Sequence, residues 1–119
     1  MAKAAWVTGG ASGIGAAVAR RLAEQDYRVL VTDVDVAGGE KVAAEIGGVF
    51  RRVDVREPGD SLAAVTTATD EFGGLDLAFL NAGVATGFGL EDDFSPEAYR
   101  RVMSINLDGV VYGVHAALP

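Results

Sequence analysis

Cysteine is absent from the 119-residue sequence, and histidine occurs once, at His115. The lack of cysteine excludes disulfide bridges, thiolate metal sites and a cysteine nucleophile. A single histidine is too few for the usual zinc sites, so we expect no metal. Long apolar runs are missing too: the run at residues 29–31 is far shorter than the roughly 18 residues that cross a bilayer.

Positive charge is also scarce, with 10 Lys and Arg against 17 Asp and Glu and a net charge of −7. An acidic chain gains no counterion release on nucleic acid and is not attracted to anionic membrane surfaces. The apolar stretch at residues 4–7 is too short for a secretion signal. We therefore expect a soluble, cytoplasmic protein with neither nucleic acid nor a membrane as a partner.

The chain alternates short apolar runs with longer amphipathic stretches, which is typical of a single α/β domain. Apolar spacing predicts an inward face on the first helix at Ile14, Val18 and Leu22. The last helix has an apolar stripe at Val102, Ile105, Val110, Val114 and Leu118. The predicted strands are residues 4–8, 28–33, 49–53 and 75–80, and the predicted helices are residues 13–24, 36–46, 58–72 and 96–118.

This alternation predicts a doubly wound parallel sheet with helices on both faces. The runs at 29–31 and 77–80 are almost continuously apolar, as expected for strands covered on both sides. The fourth strand should lie at a sheet edge. Gly109 and Gly113 should let the last helix approach its neighbours closely.

A glycine-rich turn joins the first strand to the first helix. Gly9 suits a tight turn, Gly13 lets a pyrophosphate approach the backbone, and Gly15 lets the helix pack closely on the strand. The N–H groups at a helix start bind phosphate. No lysine follows, so this is not a Walker loop. The alternative is a strand–helix turn that merely uses glycines.

Asp33 ends the second strand, 18 positions after Gly15. A carboxylate there can accept hydrogen bonds from an adenosine ribose, and it repels a 2′-phosphate. This favours NAD over NADP, with Arg56 as a more distant cation that could compensate. The alternative is that Asp33 is a solvated turn residue beside Asp35.

Taken together, five features in order closely resemble the short-chain dehydrogenase/reductase family along the whole chain. They are the turn from Thr8 to Gly15, the acidic Asp33, Asp54-Val55 after the third strand, Asn81-Ala82-Gly83 after the fourth, and Asn106 in the last helix.

The resemblance implies a Rossmann-type, NAD-binding domain over residues 1–119 and a role for each matching residue. Gly9, Ser12, Gly13, Ile14 and Gly15 would cradle the pyrophosphate and nearby ribose. Asp33 would select NAD, and Asp54, with Val55 beside it, would bind the adenine amino group. Asn81, Ala82 and Gly83 would pass under the nicotinamide ribose, and Asn106 would hold a water in a proton relay. The structural alternative for Asn106 is a helix-kink residue that bonds its own backbone.

The family's catalytic Tyr-x3-Lys pair is absent, since no tyrosine of this sequence is followed by lysine four positions later. We interpret the chain as the cofactor-binding half of an NAD-dependent oxidoreductase that interconverts an alcohol and a carbonyl compound. It would be inactive alone, and the family implies a homodimer or homotetramer. The alternative is a non-catalytic dinucleotide-binding fragment. The substrate itself is not encoded in these residues.

Overall fold

The computed structural model describes residues 2–85, 87 and 89–119. Its strands are β1 (Ala4–Thr8), β2 (Arg28–Asp33), β3 (Val49–Arg52) and β4 (Leu77–Phe79). Its helices are α1 (Gly13–Glu24), α2 (Val36–Ile46), α3 (Pro58–Phe72), α4 (Pro96–Met103) and α5 (Gly109–Ala117), with a π-helical segment (Ser104–Asp108) between the last two.

The strands form one parallel sheet in the order β3-β2-β1-β4. The chain starts in the middle, moves outward through β2 and β3, and then returns to the other side of β1 as β4. This confirms the predicted doubly wound α/β fold and the edge position of β4. It also places a reversal of strand order between β1 and β4, where open α/β sheets bind ligands.

The core lies on both faces of β1 and β2, because successive side chains of a strand point to opposite sides. Trp6 and Leu30 are fully buried on one face, and Val7 and Val31 on the other. The Trp6 Nε1 group donates to the Thr32 hydroxyl at 3.0 Å, so the buried indole keeps a polar partner. The most apolar runs of the sequence therefore occupy the centre of the sheet.

Both outer strands are shorter than the sequence predicts. The β4 strand spans three residues instead of six, and beyond its carboxyl end the Asn81 N–H bonds the side chain of Thr8 rather than a strand carbonyl. The β3 strand ends at Arg52, and the following Val53 is buried outside the regular ladder. In both cases the chain leaves the sheet to build the loops at its carboxyl edge.

The predicted inward face of α1 is wrong at Ile14, whose side chain is 70% exposed. The helix instead buries Gly15, Ala16, Ala19 and Leu22. Small residues on this face allow α1 to lie close to the sheet, and Ile14 is left on the side of the glycine-rich turn.

The last predicted helix is divided into α4, the π-helical segment and α5. Its predicted apolar stripe holds only in part, since Val114 and Leu118 are exposed. The face that packs inward carries glycines: a Cβ on Gly109 would meet Val55 Cγ2 at 2.7 Å. Close helix packing, as predicted from the glycines, therefore decides which face is buried. Within the described residues, no helix combines the length and apolarity that a membrane crossing requires.

Candidate functional site

A pocket of about 450 Å³ opens at the carboxyl edge of the sheet. All four strands contribute to it through the residues that follow them. Among the predicted site residues, the pocket is lined by Gly9, Ser12, Ile14, Asp33, Asp54, Val55, Asn81, Ala82 and Gly83. Gly13 and Gly15 belong to the same turn as Gly9 but do not line the pocket. Asn106 does not line it either, and bonds Val84 in the loop that follows β4.

The glycine-rich turn has the backbone shape that the sequence predicts. Gly9 and Gly13 have positive φ angles, +63° and +56°, which side chains rarely tolerate. A Cβ on Gly15 would collide with the Gly9 carbonyl oxygen, whereas one on Gly13 would meet nothing within 4 Å. The turn is therefore tight on its inner side and open outward, so a large group can approach the backbone there.

Ser12 occupies the N-cap position of α1, but its side chain makes no capping hydrogen bond. The first-turn N–H groups of a helix need acceptors from outside the helix. This helix start, beside the open face of Gly13, suits an anionic group such as a phosphate.

The Asp33 carboxylate ties β2 to the glycine-rich turn. Its Oδ2 accepts a hydrogen bond from the Ala11 N–H, and its Oδ1 accepts one from the Asp35 N–H, each at 3.0 Å. Asp33 is half-buried and lines the pocket. It is therefore a fixed part of the pocket wall rather than a freely solvated turn residue.

Asp54 and Arg56 form an ion pair in the same wall. The Arg56 Nη2 donates to Asp54 Oδ2 at 2.7 Å, and its Nε donates to Oδ1 at 3.0 Å. This guanidinium holds the pKa of the Asp54 carboxyl below its ordinary value, against burial, which alone would raise that pKa. The Asp54 backbone is fixed as well, because its N–H donates to Asp60 Oδ2 at 2.9 Å.

Sequence reasoning missed this pair, because it treated Arg56 only as a distant cation near Asp33. The signal was available in the spacing: an acidic residue two positions before an arginine, at the end of a strand, can bond both the backbone and the side chain of that arginine. The structure shows both contacts.

The Asn81-Ala82-Gly83 loop is held to the end of β1 by Thr8. The buried Thr8 Oγ1 accepts hydrogen bonds from the N–H groups of Asn81 and Ala82, at 2.8 and 3.0 Å. The Asn81 side-chain amide donates to the carbonyl oxygens of Thr8 and Gly9 at 3.3 and 3.4 Å. The loop after β4 and the glycine-rich turn are thus connected by hydrogen bonds. Thr8 is a second residue whose role was not predicted from the sequence.

Asn106 lies in the π-helical segment, and its side chain bonds Val84 rather than its own helix. The alternative that Asn106 bonds its own backbone is therefore wrong. Its amide instead fastens the loop after β4 to the last helix. Pi-helical segments inside α-helices often mark functional sites.

Across residues 2–85, 87 and 89–119, no three or more Asp, Glu or His side chains are grouped so that they could hold a metal ion. The charged side chains of the pocket wall are Asp33, Asp54, Arg56 and Arg101.

A family model described as "short chain dehydrogenase" matches residues 3–119. The chain belongs to this family. The cyclohexanol dehydrogenase of Acinetobacter sp. (strain SE19) is 39% identical over 122 residues, which cover 98% of this chain and 49% of that protein. The 3-hydroxyacyl-CoA dehydrogenase type-2 of Drosophila melanogaster is 44% identical over 110 residues, which cover 87% of this chain and 43% of that protein.

Solved structures of the short-chain dehydrogenase family match the fold closely. The 3-ketoacyl-(acyl-carrier-protein) reductase from Brucella melitensis, complexed with NADH, aligns with a TM-score of 0.93 at 33% identity over 98% of this chain and 49% of that one. A short chain dehydrogenase/reductase from Burkholderia phymatum in complex with NAD gives 0.92 at 29% identity, over 97% and 42%. The chain spans about half the length of the relatives it matches.

Proposed function

We propose that residues 1–119 form the NAD-binding part of an oxidoreductase that transfers hydride between nicotinamide and an alcohol or carbonyl substrate. The observation that carries the proposal is the pocket at the strand-order reversal, with the fixed Asp33 carboxylate in its wall and the open Gly13 backbone in the turn beside it. Relatives named as dehydrogenases, and similar structures solved with NAD or NADH, support it.

The residues present fit a dinucleotide. Gly9, Ser12, Gly13, Ile14 and Gly15 form the turn that would cradle the pyrophosphate, and Gly15 is required because the Gly9 carbonyl fills the space of a side chain. Asp54 and Val55 line the far end, where adenine would bind. Asn81, Ala82 and Gly83 form the loop for the nicotinamide ribose.

The pocket wall favours NAD over NADP. A 2′-phosphate beside Asp33 would place like charges together, which costs several kcal/mol. Arg56, the cation that could offset this repulsion, already bonds Asp54 through its Nε and Nη2. The ribose hydroxyls of NAD can instead donate to the Asp33 oxygens, which retain acceptor capacity beyond their two backbone bonds.

Bound nicotinamide would supply the hydride acceptor or donor. Asn106 is the one catalytic residue we assign in this chain, as the holder of a water in the proton relay, and its place in the π-helical segment supports that role. No Tyr-x3-Lys pair is present in the sequence. We therefore expect the chain alone to bind the cofactor without turning over substrate, which is also what the alternative of a non-catalytic binding fragment predicts.

We further infer a homodimer or homotetramer in the cytoplasm. Leu107, Val111 and Val114 are between 44% and 54% exposed. Their spacing places them along one side of the last helix, where a second copy could cover them. The absence of cysteine is compatible with a reducing compartment.

Calorimetric titration with NAD⁺ and NADP⁺ tests the cofactor assignment. We expect the unmodified protein to prefer NAD⁺, and Asp33→Ser to narrow that preference. Equal affinity for both nucleotides in the unmodified protein would refute the role of Asp33. Oxidation of secondary alcohols by the 119-residue chain would refute its expected inactivity. Oxidation by a longer form alone would favour the oxidoreductase over the alternative of a non-catalytic binding fragment.

A further inference from the structure

The Asp54–Arg56 pair is a planar fork set into the wall of the pocket. Both residues line it, and the Asp54 side chain is 13% exposed while that of Arg56 is 48% exposed. Arginine presents its donors in a rigid plane that matches a carboxylate. The pair therefore holds the carboxylate in one orientation, with its partner extending towards solvent.

The hydrogen bonds of Asp54 leave little acceptor capacity. Its Oδ1 accepts from the Arg56 backbone N–H and from Nε, both at 3.0 Å. Its Oδ2 accepts from Nη2 at 2.7 Å and shares Nε at 3.2 Å. The Arg56 N–H, Nε and Nη2 groups thus supply three hydrogens, of which the Nε hydrogen is shared between the two oxygens. Since a carboxylate has about four acceptor positions, one remains, and it lies on Oδ2 because Nε is closer to Oδ1.

We propose that Arg56 is a positioning residue for the nucleobase: it fixes Asp54 with a single open acceptor, so that the site selects a base bearing an exocyclic amino group over one bearing a carbonyl at the same place. This inference rests on the proposed dinucleotide function. An amino group donates to the open position, whereas a carbonyl oxygen meets a carboxylate oxygen and is repelled.

The selection depends on Arg56 because its loss reopens the carboxylate. Without the Arg56 guanidinium, water can occupy the acceptor positions of Asp54 that Nε and Nη2 fill, and the carboxylate can rotate. A water molecule that donates one hydrogen to Asp54 and the other to a base carbonyl would then relieve the repulsion. Arg56 thus keeps bridging water out of the contact between Asp54 and the base.

The other charged residues around Asp54 determine which variant can serve as a control for Arg56→Gln. Arg52 at the end of β3 acts on the carboxylate through its charge, and no contact of the described residues gives it a hydrogen bond to Asp54. Asp60 of α3 bonds the Asp54 backbone, and Asp33 and Arg101 lie elsewhere on the pocket wall. Arg52→Gln therefore removes the same charge nearby while keeping the fork.

The test compares NAD⁺ with nicotinamide hypoxanthine dinucleotide, which carries a carbonyl in place of the amino group. Affinities are measured calorimetrically for the unmodified protein, Arg56→Gln, Arg56→Lys and Arg52→Gln. We expect the unmodified protein and Arg52→Gln to prefer NAD⁺ by about tenfold, the scale of one charge-assisted hydrogen bond. Arg56→Gln should reduce the preference to about twofold, and Arg56→Lys, which keeps the charge without the fork, should fall between them.

The possible outcomes of these measurements can be distinguished. An unchanged preference in Arg56→Gln, or no preference in the unmodified protein, overturns the inference while leaving NAD binding intact. A loss of preference in Arg52→Gln equal to that in Arg56→Gln overturns it too, because charge alone would then explain the effect. If the unmodified protein binds neither dinucleotide, the proposed function fails and this inference fails with it. Because the Arg56 side chain is half exposed, its variants should fold, which their circular dichroism verifies.

Discussion

The side-chain amide of Asn106 pairs with both backbone groups of Val84. Its Oδ1 accepts from the Val84 N–H, and its Nδ2 donates to the Val84 carbonyl oxygen, each at 2.8 Å. This is the exchange of two hydrogen bonds that a neighbouring β-strand would provide. The loop after β4 is thereby attached to the π-helical segment, so the position of that loop in the pocket depends on the last helix.

Asn106→Ala should loosen the loop after β4. We expect a loss of about 1–2 kcal/mol in the free energy of unfolding, the range for two exposed hydrogen bonds, and faster hydrogen exchange at the Val84 amide. Asn106→Asp is the informative comparison, because it keeps the acceptor for the Val84 N–H and replaces the donor with a second oxygen that faces the carbonyl. Exchange at Val84 that is unchanged in Asn106→Ala would show that the pairing does not hold the loop.

Thr8→Val should destabilise the protein although valine has nearly the same shape. The Thr8 hydroxyl accepts from two backbone N–H groups, and valine would leave both without that acceptor, at a cost of about 3 kcal/mol. Thr8→Ser keeps the oxygen and should lose much less. Urea unfolding of the three proteins measures the difference. Equal stabilities for the valine and serine variants would refute the role of the hydroxyl.

Local sequence signals predicted much of the fold. The bounds of β1, β2, α1 and α2 match those in the structure, because glycines and polar residues punctuate clear runs of apolar residues there. The bounds of α3 also match: Pro58 is placed at its first turn, and Gly73 ends it with a φ of +84°. These signals act within a few residues, so the sequence alone contains them.

The parts that sequence reasoning missed depend on distant residues. Ile14 satisfies the apolar spacing of α1, but the glycine-rich turn rotates it away from the sheet, and only the small side chains behind it fit the close packing. The chain beyond β4 bonds the Thr8 side chain of another strand. The candidate site shows the same division: the residue types and their order could be predicted, whereas the Asp54–Arg56 pair and the Val84–Asn106 pairing needed the structure.

Asp54→Asn should make stability less dependent on pH in acid. The pKa of Asp54 in the folded state lies below its ordinary value of 3.8. Its ionised form therefore stabilises the folded state above that value, and the contribution is lost as the pH falls through the lower, folded-state pKa. We expect the variant to be less stable at pH 7 and to approach the unmodified protein below about pH 4.

Melting temperatures between pH 2.5 and 7 would measure this effect. Asp70→Asn, at an exposed position of α3, is the matched control, since it removes a carboxylate outside the site. If the difference between Asp54→Asn and the unmodified protein stays constant across the range, the ion pair with Arg56 is not the source of the stabilisation.

Two glycines of the same turn should respond differently to substitution by alanine. Gly15→Ala places a methyl group against the Gly9 carbonyl, so the backbone must move and the free energy of unfolding should fall by about 3 kcal/mol. Gly13→Ala meets open space, and its positive φ of +56° should cost only about 1–2 kcal/mol of stability. Its methyl group would, however, stand where the pyrophosphate approaches, so NAD⁺ affinity should fall by about tenfold or more. Urea unfolding and NAD⁺ titration of both variants separate the two roles. A Gly13→Ala protein that binds NAD⁺ like the unmodified one would show that the open face of the turn is not the phosphate site.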